Sequence, residues 1–388
     1  MKPTHDVYLI PGFLGFANVG RLSYFGHVRR ILTELLTERG IDTRIHVVQT
    51  PPTASLPFRA ARVVETIAKT ARRGRPIHLI GHSSGGLDVR LLASPGVALP
   101  TAMDVEQLAA RVRSVVTVST PHHGTPIASF FTTLRGQRLL QLVSLNTIYV
   151  LRFGHLPLSA LLWMGSLVVR FGDLVANSEI IDEIFGRLLE DFSVGRRRTV
   201  RAMLRDVVND QALMLQLTPE ALEVFNASVL RRPGVRYGAV VTTAPRPSLR
   251  STLALGLDPA AQVTHAIYAA LHQFIASTLP RGVPRLDPQQ TRALRRAYGV
   301  APPVGANDGM VPTRSQSWGS VIHAAVADHL DTLGHFRDAD CDPPHVDWLV
   351  SGSGFDRERF GALWGDVVDF IAGDEPRRRR REGGRRKV

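Results

Sequence analysis

Ile77-His78-Leu79-Ile80-Gly81-His82-Ser83-Ser84-Gly85-Gly86 is the stretch on which the reading of this chain turns. Its first four residues form an apolar run of the length of a buried β-strand. The Gly-Ser cluster then makes a tight turn, and an apolar segment starting near Gly85 reads as a helix. In such a strand–turn–helix unit, G-x-S-x-G presents the serine at the tip of a strained turn. The flanking glycines keep Cβ atoms out of a space too crowded for them. The alternative is a plain Gly/Ser turn, which a chain with 33 glycines can produce by chance. The other parts of a serine-based site therefore have to be found elsewhere in the sequence.

The segments around this unit alternate in the manner of a parallel sheet with crossover helices. Strands are predicted at Val7–Ile10, Thr43–Val48 and Val112–Val118, with helices near His27–Glu38 and Phe58–Arg72. From about Ile127 to Arg205 the alternation stops. Leu139–Val150 and Leu156–Val169 are apolar runs, the second of 14 residues, short of the roughly 20 needed to span a bilayer. They read either as buried core helices or as an interfacial cap over an apolar site. Arg196 to Arg198 follows as a solvated face or hinge. Alternation resumes with a strand at Val235–Thr242, strand character at Ser320–Val326 and a closing helix near Asp356–Ala372. The predicted divisions are a core in two parts, 1–126 and 206–373, a helical cap/lid insertion at 127–205 and a disordered basic tail at 374–388.

Composition bounds the alternatives. A hydrophobic fraction of 44% and near-zero mean hydropathy are those of a globular protein with a large core. The single cysteine, Cys341, excludes an intramolecular disulfide and a cysteine-rich zinc site. The net charge of +13 is concentrated at the carboxyl end, where residues 377–388 hold eight basic side chains against Glu382. That tail reads as a solvated extension or as an attraction to an anionic membrane. It has no aromatic interleaving, so no specific nucleic acid is expected. No charged-then-apolar leader precedes the first strand, which points to a cytoplasmic or peripherally membrane-associated protein.

A serine hydroxyl needs a histidine to accept its proton and an acid to orient that histidine. Ser83 is followed by Asp308, in the turn Gly305-Ala306-Asn307-Asp308-Gly309, and by His329, in Asp328-His329-Leu330-Asp331. His323 and His335 compete with His329 for the role. Taken singly, Asp308 is a turn former and His329 an ordinary loop histidine. An oxyanion site needs two backbone N–H groups. The candidates are Ser84, directly after the serine, and Phe13, in the Gly-rich turn after the first strand.

Several of these stretches, in order, resemble the true-lipase group of bacterial α/β-hydrolases, the triacylglycerol lipases of Pseudomonas and Burkholderia type. The matching segments are Pro11 to Phe16, Leu22 to Gly26, Gly81 to Gly86, Ser119 to Pro126, Leu217 to Asn226, Asn307 to Gly309 and His329 to Asp331. The resemblance implies an α/β-hydrolase fold with a mostly parallel sheet, helices on both faces and an inserted lid. It implies Ser83 as nucleophile, Asp308 as orienting acid, His329 as general base and Phe13 and Ser84 as oxyanion donors. The substrate implied is a lipid-like or other apolar ester. No cofactor is implied for the chemistry, but a structural calcium is, with Asp287 and Asp331 as its carboxylates. The chain departs from the pattern in starting its first glycine segment Pro11-Gly12 rather than His-Gly, in lacking a disulfide and in its basic tail. An acyltransferase or intracellular polyester depolymerase would use the same three residues. A catalytically silent lipid-binding protein would use only the cap and the tail.

Overall fold

The computed structural model describes residues 5–13, 24–133, 210–253, 255–256, 258–278 and 284–373, with scattered positions between 186 and 201. Both apolar runs of the expected cap and the basic tail lie outside the described residues. Strands β1 (His5–Ile10), β2 (Thr43–Val47), β3 (Ile77–His82), β4 (Val112–Val118), β5 (Arg236–Thr243) and β6 (Ser320–Val326) form one sheet. Its order is β2-β1-β3-β4-β5-β6, and every pairing is parallel. The two core parts expected from the sequence thus contribute strands to the same sheet.

Alternation along the strands explains the layering. In β1, Val7 and Leu9 pack with Leu32 and Leu36 of helix α1 (Gly26–Glu38) and with Trp364 and Val367 of the closing helix (Arg357–Ala372). Tyr8 and Ile10 point the other way, against Val63, Val64 and Ile67 of α2 (Leu56–Thr70) and Val89 and Leu92 of α3 (Gly85–Ala93). A strand residue faces opposite sides at successive positions, so covering both faces makes the strand read as a continuous apolar run. Each fully buried aliphatic side chain in these layers contributes about 1.5–3 kcal/mol. Among the described residues no helix is long and apolar enough to cross a membrane.

The structure extends the strand before the serine. The sequence places the turn at Gly81, yet β3 continues to His82, because Gly81 and His82 stay in register with Thr117 and Val118 of β4. The change of direction is confined to Ser83.

One buried ion pair ties the layers near this point. Arg59 of α2 lies 2.8 Å from the Asp88 carboxylate of α3, both side chains fully buried. Its remaining N–H groups donate to the carbonyls of Pro11 and Pro51, each at 2.7 Å. Burial pushes the Asp88 carboxyl up to about 6, with the guanidinium pulling it back down. Arg59→Met strands that carboxylate and two carbonyls, so we expect a loss of about 3–5 kcal/mol in urea unfolding at neutral pH. The carboxyl of the variant rises further above its unfolded value. Native stability is then retained in acid and lost as pH rises through the raised value, so the deficit is larger at pH 8 than at pH 5. A second change, Asp88→Leu, recovers part of it. Equal stability of Arg59→Met and wild type at pH 8 would contradict this account.

Candidate active site

After β1 the chain moves outward to β2, then returns across β1 to place β3 on its other side. Where a parallel sheet reverses its winding, a crevice opens at the carboxyl ends of the strands. The residues after β1 and β3 meet at this edge of the sheet. Ser83 has a φ of +54°, in the left-handed region that costs a non-glycine residue on the order of 1–3 kcal/mol. Its N–H donates to the Val118 carbonyl at 2.9 Å, extending the β3–β4 ladder by one bond. The space around it accounts for the glycine spacing. A Cβ on Gly12 would lie 2.5 Å from Ser83 Cβ, and one on Gly85 would strike the carbonyls of Ile10 and Pro11. A Cβ on Gly81 would strike the backbone of Gly85. Strand, turn and helix touch backbone to backbone, leaving the serine on a fixed crest.

Asp308 and His329 come together at the far side of the sheet's carboxyl edge. The turn before β6 is held to the end of β5 by the Ala244 N–H donating to Asn307 O at 2.9 Å. Asp308 is fully buried, and its carboxylate is surrounded by donors. Oδ1 accepts from the N–H groups of Met310 (3.0 Å) and Val311 (2.7 Å). Oδ2 accepts from the Thr242 hydroxyl (2.9 Å), Gln316 Nε2 (3.1 Å) and His329 Nδ1 (2.9 Å). The His329 N–H also donates to Asp308 O at 3.0 Å, so the two residues are tied twice. Because Nδ1 carries the proton in this contact, the neutral ring presents Nε2 as its basic nitrogen. The ring lies 4.8 Å, centroid to centroid, from that of His82, the residue before Ser83. His82 Nε2 is 3.0 Å from the His329 carbonyl.

The two competing histidines are engaged elsewhere. His323, on β6, meets Asp366 Oδ2 at 2.8 Å. His335 stacks on Trp348 with centroids 4.0 Å apart, and burial lowers it to about 3. Of the three, His329 is the one against Asp308. Both oxyanion candidates lie beside the serine. Ser84 follows it and is fully buried, while Phe13 follows the glycine that abuts it.

The calcium carboxylates do not assemble. Asp287 caps the helix Pro288–Tyr298, accepting from the N–H groups of Gln289 (2.7 Å) and Gln290 (2.8 Å). Gln290 in turn donates to the carbonyl of Gly319, just before β6 begins. Asp331 follows the other end of that seven-residue strand, a distance of about 20 Å along the sheet. Its carboxylate accepts from the Asp328 N–H (2.8 Å) and the Ser353 hydroxyl (2.8 Å). Asp328 likewise accepts from Leu330, Asp331 and Ser351. Burial, then repulsion from Asp331, drives Asp328 well above the usual carboxylate range, and burial pushes Asp331 up to about 7. Among the described residues no three metal-ligating side chains converge. A divalent ion shared by Asp287 and Asp331 does not fit this arrangement. The capping signal at Asp287-Pro288 was itself legible as a helix start.

Sequence reasoning missed Thr242 and Gln316, which hold the orienting carboxylate. Thr242 is the polar end of an apolar strand, a weak signal. Gln316 sits in a short helical turn, Thr313–Gln316, and carries no signal at all.

Two outcomes follow from this geometry. Asp308→Asn turns an NH2 group toward a set of donors, and we expect it to lower unfolding stability by about 2–3 kcal/mol; unchanged denaturation would contradict the donor cage. Asp287→Asn is expected to leave the effect of added calcium on the melting temperature within about 1 °C of that in wild type, since the two carboxylates do not share an ion. A rise of several degrees on adding calcium that is lost in Asp287→Asn would restore the shared site.

No family model matches the sequence, and no curated protein does. Solved structures do. A carboxyl esterase of metagenomic origin aligns with a TM-score of 0.52 at 18% identity, covering 96% of this chain and 76% of that one. Lipase 1 from Pelosinus fermentans aligns with a TM-score of 0.51 at 18% identity, covering 96% and 99%. At this identity the likeness is one of fold. With the parallel sheet and helices on both faces, it gives the chain an α/β-hydrolase fold.

Proposed function

We propose that the chain is a serine carboxylic-ester hydrolase acting on lipid-like esters through an acyl-serine intermediate. The observation that carries the proposal is the Asp308–His329 contact at 2.9 Å, with the His329 ring against that of His82, whose chain neighbour is a serine held at positive φ. A buried carboxylate fixing the tautomer of a histidine beside a strained serine is the arrangement that activates a hydroxyl.

In the proposed reaction Ser83 Oγ attacks the ester carbonyl carbon while its proton passes to His329 Nε2. The N–H groups of Phe13 and Ser84 stabilise the resulting oxyanion. Collapse breaks the ester C–O bond, and His329 returns the proton to the departing alcohol. Water, deprotonated by His329, then attacks the acyl-serine, and the carboxylic acid leaves as Ser83 Oγ is reprotonated. Asp308 keeps its charge throughout and stabilises the imidazolium.

The apolar substrate class rests on what adjoins the serine. Phe13, one residue past the glycine that abuts Ser83, packs against the same buried core cluster as Phe130, Leu271, Phe274, Met310 and Trp348, all partly buried apolar side chains. Such a surface favours an acyl chain over a charged substrate.

Purified protein is expected to turn over p-nitrophenyl esters, with a chain-length optimum that separates a lipase from a short-chain esterase. Ser83→Ala, folded as wild type, is expected to lose about 10⁶-fold in kcat, and Asp308→Asn about 10⁴-fold. Undiminished turnover by Ser83→Ala would overturn the proposal.

A further inference from the structure

Gly12, Tyr24, His82 and His329 are joined by a chain of hydrogen bonds whose direction is fixed at both ends. The Gly12 N–H can only donate, and it meets the Tyr24 hydroxyl oxygen at 3.2 Å. The phenol's single proton is therefore free for His82 Nδ1, 2.7 Å away. Nδ1 accepts, so the neutral ring holds its proton on Nε2. That nitrogen donates to the His329 carbonyl at 3.0 Å, an atom that can only accept. Burial, and then the neighbouring His329, hold His82 well below the usual histidine range, consistent with a neutral ring.

From this geometry we infer that Tyr24 and His82 are positioning residues, which set the oxyanion loop and the histidine loop at a common distance from Ser83. The inference rests on the ester-hydrolase reading and deepens it. The two loops are more than 300 residues apart in sequence, yet one is fastened to the ring adjoining Ser83 through Tyr24 and the other directly. With the Gly12 N–H committed to Tyr24, the next amide, that of Phe13, is the oxyanion donor that the proposed reaction assigns. His329 is held through its carbonyl by His82, while Asp308 holds its N–H and Nδ1. Oxyanion stabilisation depends on donors placed before charge develops, so loosening this relay weakens the transition state more than the bound substrate.

Two measurements test the inference. The first needs no turnover: ¹⁵N–¹H spectra of histidine-labelled wild type should show one ring protonated on Nε2, bare on Nδ1 and unchanged from pH 8 to 5. That signal should shift in Tyr24→Phe. A His82 ring protonated on Nδ1, or titrating in that range, would overturn the relay even in a protein without esterase activity. The second compares steady-state rates. Tyr24→Phe should lower kcat by about 10- to 100-fold with KM within about threefold, and weaken an alkylboronic-acid transition-state analogue in parallel with kcat/KM. His82→Gln, whose Nε2 takes the place of the ring Nε2 while no atom takes that of Nδ1, should lose a similar factor. Combined with Tyr24→Phe it should cost little more. Wild-type turnover with kcat unchanged in Tyr24→Phe would overturn the inference and leave the ester-hydrolase reading standing. A wild type without ester turnover would defeat that reading, and the spectra would still decide the relay.

Discussion

The close contact between the end of β1, the end of β3 and the start of α3 constrains everything around it. Backbone lies on backbone, with no room for a Cβ at Gly12, Gly81 or Gly85. A strand must turn into a helix within one residue, so that residue takes a positive φ and its side chain is lifted clear. The cost is carried by the apolar layers on either face and by the Arg59–Asp88 pair, which also holds the Pro11 carbonyl. A looser elbow would tolerate alanines, and it would leave Ser83 among many orientations.

The opposite wall of the crevice is ordered by electrostatics rather than packing. A fully buried carboxylate is costly unless its lone pairs are occupied. Asp308 meets that condition with donors from two backbone amides, Thr242, Gln316 and His329. The same donors that make the buried charge tolerable also fix the direction of the carboxylate, and through it the tautomer of His329. The two walls are joined through the His82 ring, which lies next to Ser83 in the chain and against His329 in space.

Much of this was legible in the sequence. Apolar runs of strand length, alternating with amphipathic helices, identified five of the six strands closely, and β6 as strand character. The order of Ser83, Asp308 and His329, with the flanking turn residues, pointed to Asp308 and His329, which the fold brings into contact. Other parts were not legible, for physical reasons. Thr242 and Gln316 are common polar residues whose role exists only when β5 and the turn before β6 lie together. A carboxylate before proline caps a helix as readily as it binds an ion, and only the fold shows that the Asp287 cap lies at the opposite end of β6 from Asp331. Tyr24 and His82 stood in recognised motifs, but a hydrogen bond between residues 58 apart has no local signature.

The most direct test of the central claim, that this site activates one serine, is covalent labelling with a fluorophosphonate followed by peptide mass analysis. The expected result is a single adduct on the peptide containing Ser83, lost in His329→Ala and after denaturation. Labelling at another serine, or equal labelling of the His329→Ala variant, would show that the Asp308–His329 pair does not serve Ser83.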